Sequence, residues 1–571
     1  MSLFGSLQLA GNALQAAQIG LNVVGNNIAN ANTPGFVREE AVFVTAPTQQ
    51  LGTLTLGLGV QIAGIVQNID DFAVERLRNA GGDRAAAEVQ ESAFRDLEVL
   101  LNALGESSVS ARLNDFFNSL QEISSAENSI AAKNLAISAG EQLTQSINAL
   151  NREVGVLNND FNTRVDQLAS EINSLTEEIS QLNLQIVSLE GGGVSGSDAG
   201  GLRSQRGLAI SRLAEIVNVD VNETTTGAVN IQVNGQFLVF EGTRRDVETQ
   251  NSSEGGTITN RIVYTSDGSE VPATGGELGG IYESRDTILG DFVSGIDDFA
   301  AALAFEFNRV YSQGQGTEGF TSLTGTFRAD DANVRLDEAG LEFSPVNGEF
   351  NLLVSNVGTD RIEGETISET IQVDLIGSDG SPTTLTSLAE QIDAVNGVSA
   401  SVSIDNELVI RSDSPDLEFV FENDTSGVLA ALGINTFFVG SDAASIGVNA
   451  ELTANISDGA KFASDLGDDT GANVLELGNL QDQELTDREG NTIIGIFDEL
   501  VDATTQGATT STAIADGLRT FEGTLEASAV AVSGVNIDEE AIDLIQLQRA
   551  YQASARYIST ISELLDLLVN L

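Results

Sequence analysis

LFGSLQLAGNALQAAQIGLNVVGNNIANANTPGF, residues 3–36, decides how this chain reads. Within it Leu3, Leu7, Ala10, Leu14, Ala17, Leu21, Val24 and Ile28 recur at spacings of 4-3-4-3-4-3-4. That is the a/d seam of a helix lying along a partner helix. The other faces carry Asn12, Gln15, Gln18 and Asn22 where a solvated helix usually carries Glu and Lys, and residues 1–37 hold no charged side chain. An uncharged polar face suits a crowded protein environment better than water. The helix is expected to stop within Asn26–Phe36. Asn tolerates the left-handed conformation that closes helices. Pro34 pushes Thr33 into an extended conformation, and Pro34-Gly35 sets a tight turn.

The other end mirrors this one. Leu544, Leu547, Tyr551, Ser554, Ile558, Ile561, Leu565 and Leu568 recur at 3-4-3-4-3-4-3, in a helix expected to run to Leu571. Asp538, Glu539 and Glu540 stand at its start, where negative charge favours the helix dipole, with a cap supplied by Val535-Asn536-Ile537. The simplest partner for each terminal helix is the other. Burial of a single seam falls short of the cost of ordering its backbone. Order at both ends is therefore expected only inside an assembly with many neighbours.

Outside its ends the chain is strongly acidic: 84 Asp and Glu against 26 Lys and Arg over 571 residues give a net charge of −58. His, Cys and Trp are absent, and Lys133 and Lys461 are the two lysines. Without His there is no Ser-His-Asp triad and no imidazole base or ligand. Without Cys there is no disulfide, thiol nucleophile or zinc ribbon. No enzymatic activity, cofactor or metal is expected. Phosphate would repel the chain, so nucleic acid is not an expected partner, and neither is an anionic membrane. No run of 18 apolar residues is present, so membrane insertion is not expected. A Sec-type signal is not supported either.

In the interior, a seam runs from Leu143 through Ile147, Leu150, Val154, Leu157, Phe161, Val165, Leu168, Ile172, Leu175, Ile179, Leu182 and Ile186 to Leu189. Its steps are 4 and 3, with one 4-4 step at 157–161–165, a stutter that relaxes supercoiling. Val229, Ile231 and Val233 alternate inward, and Asn234-Gly235 predicts a hairpin turn before Phe237 and Val239. Residues 316–460 are rich in short alternating runs, with one short helix near 384–394.

The expected fold is mainly α with an inserted β domain, in a discontinuous multi-domain arrangement. Its parts are an N-terminal helix and turn (1–70), a long-helix body with a small β element (71–315), an inserted β-rich outer domain (316–460), a return into the helical body (461–527) and the C-terminal helix (528–571). Gly191, Gly193 and Gly196 match G-x-G-x-x-G but follow a helix rather than a strand, so they predict a flexible loop and no nucleotide site. Asp465, Asp468 and Asp469 lack the spacing of a calcium loop. Glu177-Glu178 reads as a solvated helix face.

NNIANANTPGF at 26–36 closely resembles the N-terminal signature of bacterial flagellar axial proteins: rod, hook and hook-associated. Residues 533–571, SGVNIDEEAIDLIQLQRAYQASARYISTISELLDLLVNL, resemble the C-terminal segment of the same family. The long 143–189 helix resembles the hook-associated branch that joins hook to filament. So do LRSQRGLAISRLAEIVNVDV at 202–221, GELGGIYESRDTILGDFVSGIDDFAAALAFEFNRV at 276–310 and LGINTFFVGSDAASIGVN at 432–449. Members often carry Asp near the position of Ser204.

The resemblance implies a structural part of the flagellum, at the junction of hook and filament, that polymerises through paired terminal helices. It implies a secreted protein, exported by the flagellar type III route. It further implies a cytoplasmic export chaperone, and contacts with identical subunits, hook protein and the second junction protein. The expected assembly interface is Leu3, Leu7, Leu14, Leu21, Val24, Ile28, Asn30, Thr33, Pro34, Gly35 and Phe36, with Leu544, Leu547, Tyr551, Ile558, Ile561, Leu565 and Leu568. Two other readings stay open: a sibling hook or distal rod subunit, and a secreted acidic carbohydrate-binding or hydrolytic protein.

Overall fold

A computed structural model describes residues 3–51, 54–103, 108–125, 129–191, 196–254, 257–358, 366–378, 380–467, 471–485, 488 and 490–569. The chain opens with α1 (Leu3–Asn30) and an arm of strands: β1 (Glu39–Thr45), β2 (Thr48–Leu51), β3 (Leu54–Gly57) and β4 (Val60–Gln67). Helices α2 (Asp71–Ala103), α3 (Val109–Ser125), α4 (Ile130–Leu189) and α5 (Gly200–Ile216) follow. Then come β5 (Asp220–Glu223), β6 (Val229–Val233), β7 (Gln236–Phe240), β8 (Thr243–Arg244), β9 (Val247–Glu254) and β10 (Thr257–Tyr264). After α6 (Gly276–Tyr282), a π-helical turn at Glu283–Ile288 leads into α7 (Leu289–Tyr311).

The next stretch is mostly sheet: β11 (Ser322–Thr324), β12 (Gly348–Asn356), β13 (Ile367–Val373), α8 (Leu385–Asp393), β14 (Val398–Val402), β15 (Leu408–Ser412) and β16 (Leu417–Glu422). Short elements α9 (Val428–Leu432), β17 (Phe438–Val439), β18 (Gly447–Val448), α10 (Ala450–Thr453) and α11 (Ala472–Asn479) precede the last two long helices, α12 (Ile493–Ser533) and α13 (Ile537–Val569). The fold is thus mainly helical with several small sheets, and its terminal helices pack together.

Two compact units result. The first holds residues 1–93, 159–286 and 509–571, and the second holds 94–158 and 287–508. The expected 143–189 helix lies inside the longer α4, which gives 130–158 to the second unit and 159–189 to the first. The 4-4 stutter falls where α4 changes unit, and there Leu157 and Phe161 are only half-buried. Leu189, expected in the seam, is instead exposed at 68% because the helix ends there.

In the first unit α4 lays Val165, Leu168, Ile172 and Ile179 against Ile210 and Leu213 of α5 and against residues of β6, β7, β9 and β10. Apolar burial alone would leave strand backbone groups dry. Three asparagines on α4 satisfy them. Asn183 accepts from Val229 N at 3.0 Å and donates to Val229 O at 2.8 Å. Asn173 does the same with Val247, and Asn162 takes Ile258 O and Asn260 N. The Asn234-Gly235 hairpin forms with both residues at positive φ, 47° and 81°. A bulge between Ile231 and Gln232 shifts the register, so Leu238 and Val239 are buried while Phe237 faces out at 38%.

The second unit has two cores. Phe116, Phe307, Tyr311, Phe437, Phe438 and Phe462 form one aromatic cluster with ring centroids about 5–6 Å apart. Gly140 is required beside it, since a Cβ there would lie 2.6 Å from the Phe437 ring. The other core gathers β12, β13 and β16 with α8, from Phe320 to Ile434. The α8 start is fixed by a capping box between Thr384 and Ser387.

Candidate functional site: the joined ends of the chain

Within the first unit α1 and α13 run along each other. Asn27 meets Glu540, and seven residues back along α1, Gly20 meets Leu547, seven residues forward along α13. The pair is therefore antiparallel.

The face of α1 that is fully covered holds Ala10, Ala16, Ala17, Gly20, Val23, Val24 and Asn27. Small side chains let the backbones close up: a Cβ on Gly20 would sit 3.0 Å from Leu547 Cδ1 and 3.3 Å from the Phe43 ring. The leucine seam flanks this stripe, with Leu3, Leu7, Leu14, Leu21 and Ile28 half-buried. On α13, Ile561 is buried and Leu544, Leu547, Ile558 and Leu565 are half-buried, while Tyr551 is exposed. The side chain of Leu568 lies outside the described residues, as do Gly193, Asp468, Asp469 and Leu571.

The turn after α1 is tied down link by link. Asn30 Nδ2 donates to Asn26 O and Oδ1, and Thr33 Oγ1 donates to Asn30 Oδ1 at 3.3 Å. Phe36 N donates to Thr33 O, and Gly35 has φ 73°, which closes Thr33–Phe36 as a tight turn. Thr33, Pro34 and Gly35 are exposed and Phe36 is half-buried. Behind the turn Ser204 accepts from Val37 N and from Gln67 Nε2.

A buried polar clamp joins the two ends, and periodicity did not disclose it. Glu540 is fully buried. It accepts from Asn27 Nδ2 at 3.0 Å and from Arg38 Nε at 2.7 Å. The Glu540 hydrogen bond holds the Arg38 guanidinium above its ordinary range. Asn27 also bonds both backbone groups of Glu39, which starts β1. Arg38 N donates to Ser533 O, the last residue of α12, and Asn536 caps α13 by accepting from Asp538 N. The first two charged residues after the neutral stretch, Arg38 and Glu39, were the available signal.

The strand β4 is covered too. Ser197 Oγ accepts from Ile65 N and Asp198 Oδ2 from Gln67 N, and a Cβ at Gly64 would overlap the Gly196 carbonyl. Gly196 thus serves close backbone approach, while residues 192–195 of the expected loop lie outside the described residues. Below the Thr33–Phe36 turn lies a groove of about 830 Å³, lined among others by Phe36, Leu77, Leu208, Val530 and Val535. One face of α13 turns outward with Ile542, Ile545, Tyr557, Leu564 and Leu567 exposed at 42–63%. Arg549 and Arg556 stand exposed on the same face.

Comparison with known proteins matches each part of this architecture. Residues 94–326 fit the flagellar hook-associated protein FlgK helical domain, 526–571 the flagellar basal body rod FlgEFG protein C-terminal family, and 7–36 the flagella basal body rod protein family. Flagellar hook-associated protein 1 of Escherichia coli is 25% identical over 98% of both chains, and that of Salmonella typhimurium 26% over 98% of both. The Bacillus subtilis protein of that name is 26% identical over 57% of this chain and 71% of its own.

The chain belongs to the flagellar hook-associated protein 1 family. It is a structural component of the bacterial flagellum. A solved structure, the flagellar hook junction protein FlgK from Burkholderia pseudomallei, shares the fold at TM-score 0.50 and 16% identity, covering 80% of this chain and all of that one. Among the described residues no helix is long and apolar enough to cross a membrane.

Proposed function

We propose that this chain forms the hook side of the hook–filament junction, polymerising through its joined terminal helices, with no enzymatic role. The observation that carries this reading is the α1–α13 pair. One side of α13 closes on α1, and the opposite side leaves five large apolar residues and two arginines in solvent. Tyr and Arg are enriched among the residues that carry most of the binding energy at interfaces, and exposed apolar surface gains by being covered. An outward face of this kind, on a helix whose inner face is already used, asks for neighbouring copies.

In this reading the protein is exported through the flagellar type III route, and a cytoplasmic chaperone covers the C-terminal helix until delivery. Identical subunits, hook protein and the second junction protein are its partners. The assembly interface includes the α1 and α13 seams and the Asn30–Phe36 turn. Residues 316–460 are the part facing solvent.

Deletion of 545–571 tests the mechanism. The truncated chain should keep a folded second unit by circular dichroism and fail to join hook to filament in electron micrographs of labelled flagella. Junctions that still form would refute polymerisation through the terminal helices.

A further inference from the structure

Between α1, β1 and the first half of α13 lies a smaller groove of about 390 Å³. The apolar part of its lining is buried at Val23, Val24 and Ala41. Four carboxylates line it against one arginine, so negative charge is in excess. The arginine, Arg38, is taken up by Glu540 at 2.7 Å, with Asp543 3.8 Å away on its other side. Glu39 accepts from Asn26 Nδ2. The exposed Glu40 carboxylate makes no ion pair among the described residues and acts on Arg38 only at longer range.

A site that is apolar within and acidic toward water suits a side chain with an apolar stem and a cationic head. The two terminal helices carry two cations, Arg549 and Arg556. Both are exposed, and neither guanidinium makes an ion pair or a hydrogen bond among the described residues. Arg556 stands beside the exposed Tyr557. It cannot serve the groove of its own copy. At about 100° and about 1.5 Å per residue, it lies about 140° round α13 from Asp543 and about 20 Å along it, beyond the reach of one side chain.

We propose that Arg556 of one copy seats in this groove of a second copy, its stem on the apolar lining and its guanidinium against Glu40 and Asp543. The inference rests on the self-assembly reading above and gives that contact a register. The same helix pair holds both halves of the contact, on different faces. Each copy therefore gives an arginine on one side and receives one on another, which is a heterologous contact. Contacts of this kind add copies in sequence, into a ring or an open helical array, where a self-complementary contact would stop at a dimer. An apolar face with two unpaired cations and an acidic groove beside it are the two ends such a series needs.

The test uses the full chain, which has no cysteine of its own. Chains carrying Glu40→Cys are mixed with chains carrying Arg556→Cys, assembled on isolated hooks and treated with a short bis-maleimide that spans the length the two side chains give up. A linked pair of the two chains is expected in the assembled material, and no internal link in a dilute chain carrying both changes. Arg556→Glu should need about tenfold or more protein for half-maximal assembly. Its thermal unfolding should match that of the unaltered chain, since the guanidinium has no polar partner in its own copy, and adding Glu40→Arg should recover part of the loss. The inference is overturned if assembled chains give no linked pair, if the dilute double variant links within itself, or if Arg556→Glu assembles at the unaltered concentration. A photo-reactive residue at position 556 that labels only a different flagellar protein overturns it as well. Failure of the underlying reading looks different. Assembly would then survive deletion of 545–571 and Arg556→Glu alike, whereas a wrong register leaves the deletion defective and Arg556→Glu unaffected.

Discussion

Arg38 Nε donates to Glu540 Oε1 at 2.7 Å across 502 positions of sequence, and Asn27 Nδ2 shares the same carboxylate at 3.0 Å. The Glu540 side chain is 1% exposed and the Arg38 side chain 22%. Losing one partner of a buried pair strands the other in a poor solvent. Because Arg38 keeps contact with water, Glu540→Ala should destabilise the terminal pair by about 2–3 kcal/mol, less than for a fully buried pair. Glu540→Gln should cost less, since its amide oxygen still accepts. Hydrogen exchange in residues 537–547 should speed up in both, most in Glu540→Ala. Unchanged exchange in both would remove the clamp from the account.

Gly20 and Leu547 set how close the helices come. A Cβ at Gly20 meets only the flexible end of Leu547 at 3.0–3.1 Å and the Phe43 ring edge. Gly20→Ala should therefore be nearly neutral, the small steric cost offset by a helix-propensity gain of about 1 kcal/mol. Gly20→Phe has no space and should part α1 from α13. A cysteine pair at positions 20 and 547 checks this, since disulfide yield should be high in the unaltered background. A Gly20→Phe chain whose neighbouring contacts are still protected from exchange would contradict the close packing.

Much of this was legible because heptad spacing reports helix faces directly. The terminal helices and the long interior helix show their periods, and Asn234-Gly235 shows its turn. Periodicity was less good at choosing the contact face. It found Ala10, Ala17 and Val24 of the fully buried α1 stripe but favoured the large leucines over Ala16, Gly20, Val23 and Asn27, which complete that stripe. Glu540 read as a dipole-favouring charge at a helix start, and only the fold brings it to Asn27 and Arg38. The bulge at Ile231/Gln232 that turns Phe237 outward has no local sequence signal. The three α4 asparagines that serve strand backbones were hidden among many others.

Glu190 joins the end of α4 to the start of α5, and its protonation should be visible in acid. Burial by itself would raise this carboxyl, but the paired hydrogen bonds from Arg203, with Ala199 N, hold it below its ordinary value. A group whose folded pKa is depressed contributes stability above its unfolded pKa and loses it as pH falls through the folded pKa. Stability from this site should be complete above about pH 5 and decline below the ordinary glutamate range near pH 4.3. Arg203→Gln should lower stability at pH 7 and flatten the acid limb of the difference curve, measured by denaturant unfolding from pH 3 to 7. Parallel curves for the two proteins would show that the pair does not couple to folding.

Ionic strength should act on assembly in a direction set by where the charge lies. Residues 1–37 are uncharged while the whole chain carries −58, so one of the two paired terminal helices is neutral and the acidic bodies behind the pair repel. That repulsion is screened over a Debye length of about 8 Å at physiological salt and about 3 Å at 1 M. The concentration for half-maximal assembly should therefore fall as salt rises. Light scattering across a sodium chloride series measures the slope. A half-maximal concentration that rises with salt in the unaltered chain would mean that attractive ion pairs, and not repulsion between acidic bodies, govern the contact.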